Sequence, residues 1–392
     1  MKFIHVTDTH LGRKDRNLEE RRIDYYNSFK QVVDYAIENN IDFVLHTGDL
    51  FDKARPSVKT LIFAVKQLER LKEKNIPVFL VPGSHDVGVG ETIISLFDEL
   101  NLIKDLSDKR YFKEENGDII LDGELYKDVF ICGVVGKRSH IEGIYRKLKT
   151  VEKGEYRIFA LHHIISDVIE NFADIPTSLL PKNFDYYAGG HWHGFFEMKY
   201  NDGIIVYPGS TEYNDLKEIE SGQERVFCVV NTKTNSVEKI KLKTRKHIVH
   251  KINCDGLDAR EIASKCIDYL ESKEIVKDAI LIIKLEGVLS KGTKAEINRN
   301  KILEWANEKG FLTAIIYLSN LENPERPFVS SKKTPKEVEK EYLEMQKYSK
   351  SDIKLARGII ASLGNVSGKE KDIAVKETIK FVEGALIEDK KD

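Results

Sequence analysis

Short apolar runs recur along the first 245 residues, and polar groups follow each one: KFIHVTD, DFVLHTGD, PVFLVPG, DVFICGVVG, YRIFALHH, FDYYAGGH, GIIVYPGS and RVFCVVNT. Runs of this length, rich in β-branched and aromatic residues, read as buried strands. Between the first three, apolar residues return at helical spacing, which predicts helices over Tyr25–Asn39 and Val58–Lys72. Further on, strand follows strand with little helix between. That order predicts an α/β fold of mixed sheets packed with outer helices, not a simple doubly wound sheet. A smaller α/β unit is expected over 246–325: a helix around Ala259–Ser272, the strand AILIIKLEG, a helix over Lys294–Lys309 and the strand LTAIIYL. Beyond Asn323-Pro324 the chain becomes highly charged. Thr334-Pro335-Lys336-Glu337 forms a capping box with proline at the first helical position, so 326–392 is read as a helical tail.

Composition narrows the class without naming a chemistry. The chain has 392 residues, 41% of them apolar, and a formal net charge of -2. It is long enough for two or three cored domains. It carries no overall basic signature, so contact with nucleic acid must rest on local patches. Cys132, Cys228, Cys254 and Cys266 show no CxxC spacing and signal neither a zinc site nor a disulfide framework. The opening KFIHV resembles a strand rather than a leader, and no run approaches the roughly 18–20 apolar residues of a membrane span. An intracellular protein of the cytoplasm or nucleoid, with no membrane partner, is expected.

The polar groups after the strands are of one chemical type. Asp8 and His10 stand two apart after the first run, and Asp49 follows the second. His85 follows the third, with Ser84 before it and Asp86 after it. His162 ends RIFALHH, and His191 and His193 repeat the two-residue spacing in GGHWHG. Oxygen and nitrogen donors without thiolates suit Mn, Fe, Zn or Mg-like ions. They outnumber what one tetrahedral ion needs, which points to two ions sharing a bridging carboxylate. A lone Asp-x-His or His-x-His is usually a capped turn; five strand ends offering ligands in a consistent order are not. His5, His46 and His163 are read as packing or supporting groups.

This ordered set resembles the calcineurin-like metallophosphoesterase superfamily: DTH at 8–10, GD at 48–49, GSHD at 83–86, His162 in LHH and GHWH at 190–193. The resemblance implies a four-layer αββα sandwich with a dimetal site at the strand ends. By the family pattern Asp8, His10 and His193 hold one ion, His162 and His191 the other, and Asp49 bridges. His85 protonates or stabilises the leaving oxygen. Ser84 stands where the family carries asparagine, whose oxygen ligates the second ion. Serine is shorter, so its hydroxyl falls short of that ion or reaches it through water.

A narrower likeness lies in DTHLGRKDRN with LEERRIDYYNSF, in GDLFDKARPS and in YPGSTEYN, which resemble the double-strand-break repair nucleases of the SbcD/Mre-eleven type. It implies two Mn²⁺ per chain, 3′–5′ exonuclease action on duplex ends and endonuclease action on single strands or hairpins. It also implies a capping domain at 246–325 that helps select DNA, and C-terminal helices that grip an SMC-like ATPase of the SbcC/Rad-fifty type. A homodimer would form through the stripes Leu61, Ile62, Val65, Leu68 and Ile93, Ile94, Phe97, Leu100. In the tail, Val338, Tyr342, Met345 and Val375, Ile379, Val382, Leu386 mark the faces offered to the ATPase. On charge alone Arg13, Lys14, Arg16, Arg21, Arg22, Lys53 and Arg55 read as a solvated face paired with Glu19 and Glu20; beside a phosphodiester-cleaving centre they would meet DNA phosphate. Two other functions stay open at this point: a DNA-tethering subunit with a degraded metal site, and a phosphatase acting on a protein or small molecule.

Overall fold

The structure, a computed structural model, describes residues 1–88, 92–136 and 140–324. The expected tail helices and their capping box lie outside the described residues. Two six-stranded sheets form the main body. In the first, β1 (Lys2–Val6), β2 (Phe43–His46), β3 (Val78–Leu80) and β4 (Lys104–Asp105) run parallel. The other β1 edge is extended by β14 (Val226–Asn231) and β15 (Ser236–Lys241), both antiparallel to their neighbours. The second sheet runs in the order β12-β13-β11-β10-β8-β7. Its strands are β7 (Glu124–Tyr126), β8 (Val129–Val134), β10 (Tyr156–Leu161), β11 (Tyr186–Gly189), β12 (Phe196–Tyr200) and β13 (Gly203–Tyr207). A small sheet of β5 (Phe112–Glu115), β6 (Asp118–Leu121) and β9 (Leu148–Thr150) lies apart from both.

The near-continuous apolar strands follow from burial on both faces. Phe3, Phe43, Leu45, Phe79, Ile131, Ile158, Ala160, Tyr186 and Val206, drawn from both sheets, form one core cluster between them. On its other face the first sheet packs Ile4, Val44 and Leu80 against α1 (Glu19–Glu38), α2 (Val58–Glu73) and α3 (Ile93–Glu99), which contribute Phe29, Leu68 and Phe97. Over the second sheet, Ile141 and Tyr145 of the seven-residue α4 (Ile141–Lys147) join Ile165, Ile175 and Leu180 of irregular chain. A third sheet contains β16 (His247–Asn253), β17 (Ile280–Val288), β18 (Thr313–Tyr317) and β19 (Leu321–Glu322). Between its strands run α6 (Ile262–Glu271) and α7 (Arg299–Glu308); the five-residue α5 (Leu216–Glu220) precedes β14.

By its contacts the chain divides into two compact units: Met1–Asn253 with Glu261–Glu286 and Asn298–Asn320, and Cys254–Arg260 with Gly287–Ile297 and, among the described residues, 321–324. In the second unit β19 pairs with Gly287 and Val288 at the end of β17.

Three expectations need correction. The first helix starts at Glu19, six residues before the apolar periodicity, because its opening turns bury Arg21 and Asp24 as an ion pair at 2.7 Å. Hydrophobic spacing cannot register a buried salt bridge. The helix expected over Lys294–Lys309 is broken: a 3-10 turn at Lys294–Glu296 carries the Thr293/Glu296 capping box, and Asn298 caps a new helix at Lys301 N. The stripes assigned to a dimer face lie largely in the chain's own core, since Leu68, Ile94 and Phe97 are buried and Leu61, Val65 and Ile93 pack against them. The apolar surface left on these helices is Val58, Ile62, Leu96 and Leu100, each at least 50% exposed.

Candidate metal centre

Parallel strands carry their following loops to one end of a sheet, which is where both sheets place their polar groups here. Asp8 and His10 follow β1, Asp49 follows β2, and Ser84 and His85 follow β3. From the second sheet, His162 follows β10, and His191 and His193 follow β11. The loops are held in unusual backbone. Asp8, His10, Asp49 and His191 all have positive φ, between 42° and 79°. Left-handed geometry costs about 1–3 kcal/mol for such residues and persists where the surroundings over-determine it. Here Asp8 N donates to Gly48 O (2.9 Å), His10 N to Asp49 O (3.0 Å) and His191 N to the Asp8 carboxylate (3.0 Å). Two glycines are required by close approach. A Cβ on Gly83 would lie 2.2 Å from Asp49 Oδ1, and one on Gly48, at φ +98°, 2.2 Å from His162 Nδ1.

The side chains expected as ligands converge in two groups. Ligand atoms of Asp8, His10 and His193 all lie within 4.8 Å of one another, as do those of Asp49, His162 and His191; a third set, His10, Asp52 and His85, shares His10 with the first. In the first, His193 Nε2 is 3.5 Å and His10 Nε2 3.8 Å from Asp8 Oδ1. In the second, His162 Nε2 is 3.4 Å from Asp49 Oδ2. These separations are too long for good hydrogen bonds. Ligands bonded at about 2.0–2.2 Å to one ion stand at such spacings from each other. Asp8 Oδ1 and Ser84 Oγ are moreover buried without a hydrogen-bond partner, an expensive arrangement unless a cation answers them. The donor set therefore fits two divalent ions.

Electrostatics agree. Burial opposes charge on Asp8, but His193, His162 and His10 hold its carboxyl well below the usual range. Burial likewise opposes charge on Asp49, and His162 outweighs it, holding Asp49 near about 2. Burial should strip His162 and His193 of protons. Instead Asp49 pushes His162 up to about 9, and Asp8 with Glu218 pushes His193 up to about 10. Buried anions thus draw positive charge to both groups, and an ion and a proton compete for the same nitrogens.

Neighbouring groups fix which nitrogen faces inward. His162 Nδ1 donates to Thr47 O at 2.7 Å and His193 Nδ1 to Glu218 Oε1 at 2.6 Å, leaving both Nε2 atoms for the centre. Thr7 Oγ1 donates to Asp8 Oδ2 at 2.6 Å, which turns Oδ1 towards the imidazoles. His85 is held twice: its N donates to Asp49 Oδ1 (2.8 Å) and its Nδ1 to Asp52 O (2.7 Å). Its Nε2 then lies 4.0 Å from Asp49 Oδ2, and its side chain is 35% exposed. Asp86 accepts from Leu50, Phe51 and Gly83 N and so ties the second and third loops together; burial, then Asp49, raises it to about 6. Ser84 Oγ is buried in the same loop without a hydrogen-bond partner.

His5, His46 and His163 stand outside both groups. His5 meets Tyr186 and Thr47, His46 meets Thr9, and His163 packs on Tyr145. Residues that spacing did not single out include Glu218, Thr7, Thr47 and Asp52. Glu218 lies 25 residues beyond His193, and no local pattern links them. Among the basic residues, Arg13 pairs with Asp15 and donates to Asn214 O, Lys14 and Arg22 pair with Glu19, and Arg21 is buried against Asp24. Arg16, Lys53 and Arg55 are exposed, with no ion pair among the described residues.

The chain is similar to known proteins. Residues 1–195 match the calcineurin-like phosphoesterase family. The chain is 35% identical over 292 residues to the DNA double-strand break repair protein Mre11 of Methanocaldococcus jannaschii, covering 70% of this chain and 75% of that one. It is 33% identical over 302 residues to the protein of that name from Sulfolobus acidocaldarius, covering 74% and 76%. For that of Sulfurisphaera tokodaii the figures are 32% over 285 residues, covering 70% and 71%. A likeness reaching so far past the phosphoesterase motifs, on a scaffold that gathers those motifs at one sheet end, places the chain: it belongs to the Mre11 family of calcineurin-like phosphoesterases.

Proposed function

We propose that this chain is a DNA nuclease that processes double-strand breaks, hydrolysing phosphodiester bonds with two Mn²⁺ ions held by Asp8, His10, Asp49, His162, His191 and His193. The observation that carries the reading is the convergence of two ligand groups around buried carboxylates, with Asp8 and Asp49 oxygens 3.4–3.8 Å from His193, His10 and His162 nitrogens. The substrate is read from the relatives, which are DNA double-strand break repair proteins.

When bound, the ions supply Lewis acidity to a phosphate oxygen and lower the pKa of an attacking water. The chain supplies the rest. Asp49 holds the His85 backbone while Asp52 O fixes the ring, so Nε2 faces the reacting phosphate and hands a proton to the departing 3′ oxygen. Lys53 and Arg55, on the loop after β2, are free to bind flanking phosphates. The segment 246–325 acts as the capping domain that selects DNA. A labelled duplex and hairpin, incubated with Mn²⁺, Mg²⁺ or chelator, test the reading. Mn²⁺-dependent 3′–5′ shortening and hairpin opening are expected. DNA binding without turnover would make the chain a tether, and preference for a phosphoprotein or small ester a phosphatase.

Ser84 gives the second ion one neutral donor fewer than asparagine would. Ser84→Asn should tighten Mn²⁺ at the Asp49–His162–His191 group and leave the other ion unchanged. Calorimetric titration showing neither affinity altered would remove Ser84 from the ligand set.

Two assemblies complete the proposal. Val58, Ile62, Leu96 and Leu100 form the contact of a homodimer; a monomeric mass by light scattering at micromolar concentration would count against it. The segment 326–392 holds the SMC-like ATPase. A chain ending near residue 330 should keep Mn²⁺-dependent hydrolysis and lose the ATPase, and undiminished ATPase binding would refute the assignment.

A further inference from the structure

The short helix α5 stands between the metal centre and the third sheet. Its start is fixed by Asp215, whose side chain accepts from Glu218 N at 2.9 Å. The Glu218 carboxylate does not fold back on the helix. Oε1 accepts from His193 Nδ1 at 2.6 Å, and Oε2 accepts from Asn214 N at 2.9 Å and from Arg225 Nη1 at 3.2 Å. The buried Arg225 guanidinium also donates to His193 O at 2.8 Å. One carboxylate–guanidinium pair thus grips both the ring and the main chain of His193. The imidazole needs this grip, because its side chain is 28% exposed on a loop and packing alone does not set its rotation.

The far side of α5 meets the third sheet. Glu220 pairs with Lys284 of β17 at 2.6 Å. Leu216 and Ile219 line a cavity of about 210 Å³ together with Ile280, Ile282 and Ile315. The Glu220–Lys284 pair ties the helix to β17 beside that space.

We infer that Glu218 is a positioning residue for the His193-bound ion, and that Lys284, through Glu220, fixes the helix bearing it. The inference rests on the two-ion reading of the centre. Pinning the proton on Nδ1 presents the Nε2 lone pair towards Asp8 and His10, and support of this kind is worth roughly 10- to 100-fold in metal affinity.

Mn²⁺ alone, titrated calorimetrically into the full chain without DNA, tests this, with metal-free melting temperature as control for folding. Glu218→Ala should weaken one of the two ions roughly 10- to 100-fold and spare the other. Glu218→Gln, whose amide oxygen still accepts from Nδ1 but whose amide nitrogen then faces the Asn214 N and Arg225 Nη1 donors, should restore part of that affinity. Lys284→Met, remote from the ligands, should weaken the same ion by roughly 2- to 30-fold. Two ions of unaltered affinity in Glu218→Ala would overturn the positioning role. Equal loss in a normally melting Glu218→Gln would do the same. Unaltered affinity in Lys284→Met would overturn the link to the sheet. An unmodified protein that binds no Mn²⁺ would overturn the metal reading itself, and this inference with it.

Discussion

His85→Ala should abolish exonuclease activity, by about 10²–10⁴-fold as for loss of a positioned general acid, while both ions bind as before. The separation of chemistry from ligation follows from how His85 is attached. Its hold on Asp49 is a main-chain bond, His85 N to Oδ1 at 2.8 Å, which alanine retains. What alanine removes is the ring, oriented by Asp52 O and packed at 5.1 Å on His10. Fold stability should change little, since the side chain is 35% exposed and leaves no large cavity. Turnover and bound Mn²⁺ measured on the same preparation decide the matter. Parallel loss of one ion would instead make His85 a ligand, as its approach to His10 and Asp52 within 4.8 Å would then permit.

The centre was legible in the sequence because its chemistry is local to each strand end. DTH, GD, GSHD, LHH and GHWH each need only a strand and a few following residues, and the parallel registers β1–β2–β3 and β10–β11 bring them together. What supports the centre was not legible in the same way. The Glu218–His193 bond spans 25 residues and the Thr47–His162 contact 115, and neither leaves a periodic trace. Charge patterning was partly legible: Arg22 pairs with Glu19 as a solvated face would, whereas Arg13 meets Asp15 and Arg21 is buried with Asp24, pairs that the pattern did not indicate. The helix stripes failed for a simpler reason: spacing gives the apolar face of α2 and α3 but not what covers it. Leu68, Ile94 and Phe97 turn out to face their own sheet, and the residues left over are the exposed ones.

Asp49→Asn should have the opposite signature to His85→Ala: hydrolysis and ion binding are lost together, with the fold intact. Asp49 is shared by the centre's parts, since Oδ1 takes His85 N while Oδ2 faces His162 at 3.4 Å and His85 at 4.0 Å. Asparagine keeps the hydrogen bond from His85 N through its amide oxygen. It deletes the charge that draws cations between His162 and His191. Removing one partner from a buried charge pair costs about 3–5 kcal/mol, which is roughly 10²–10³-fold or more in affinity. Without metal the Asp49 charge still has a partner: His162 holds the Asp49 carboxyl down to about 2 and is itself pushed up to about 9, which outweighs the repulsion that helps raise Asp86 to about 6. A carboxyl whose folded pKa is depressed stabilises the fold at neutral pH, so the metal-free variant should fold and melt somewhat below the unmodified protein's temperature. An ion at 100 times its dissociation constant adds about 2.7 kcal/mol of stability, so Mn²⁺ should raise the melting temperature of the unmodified chain and scarcely move that of Asp49→Asn. A Mn²⁺-induced rise of equal size in both proteins would show that Asp49 does not hold the ions.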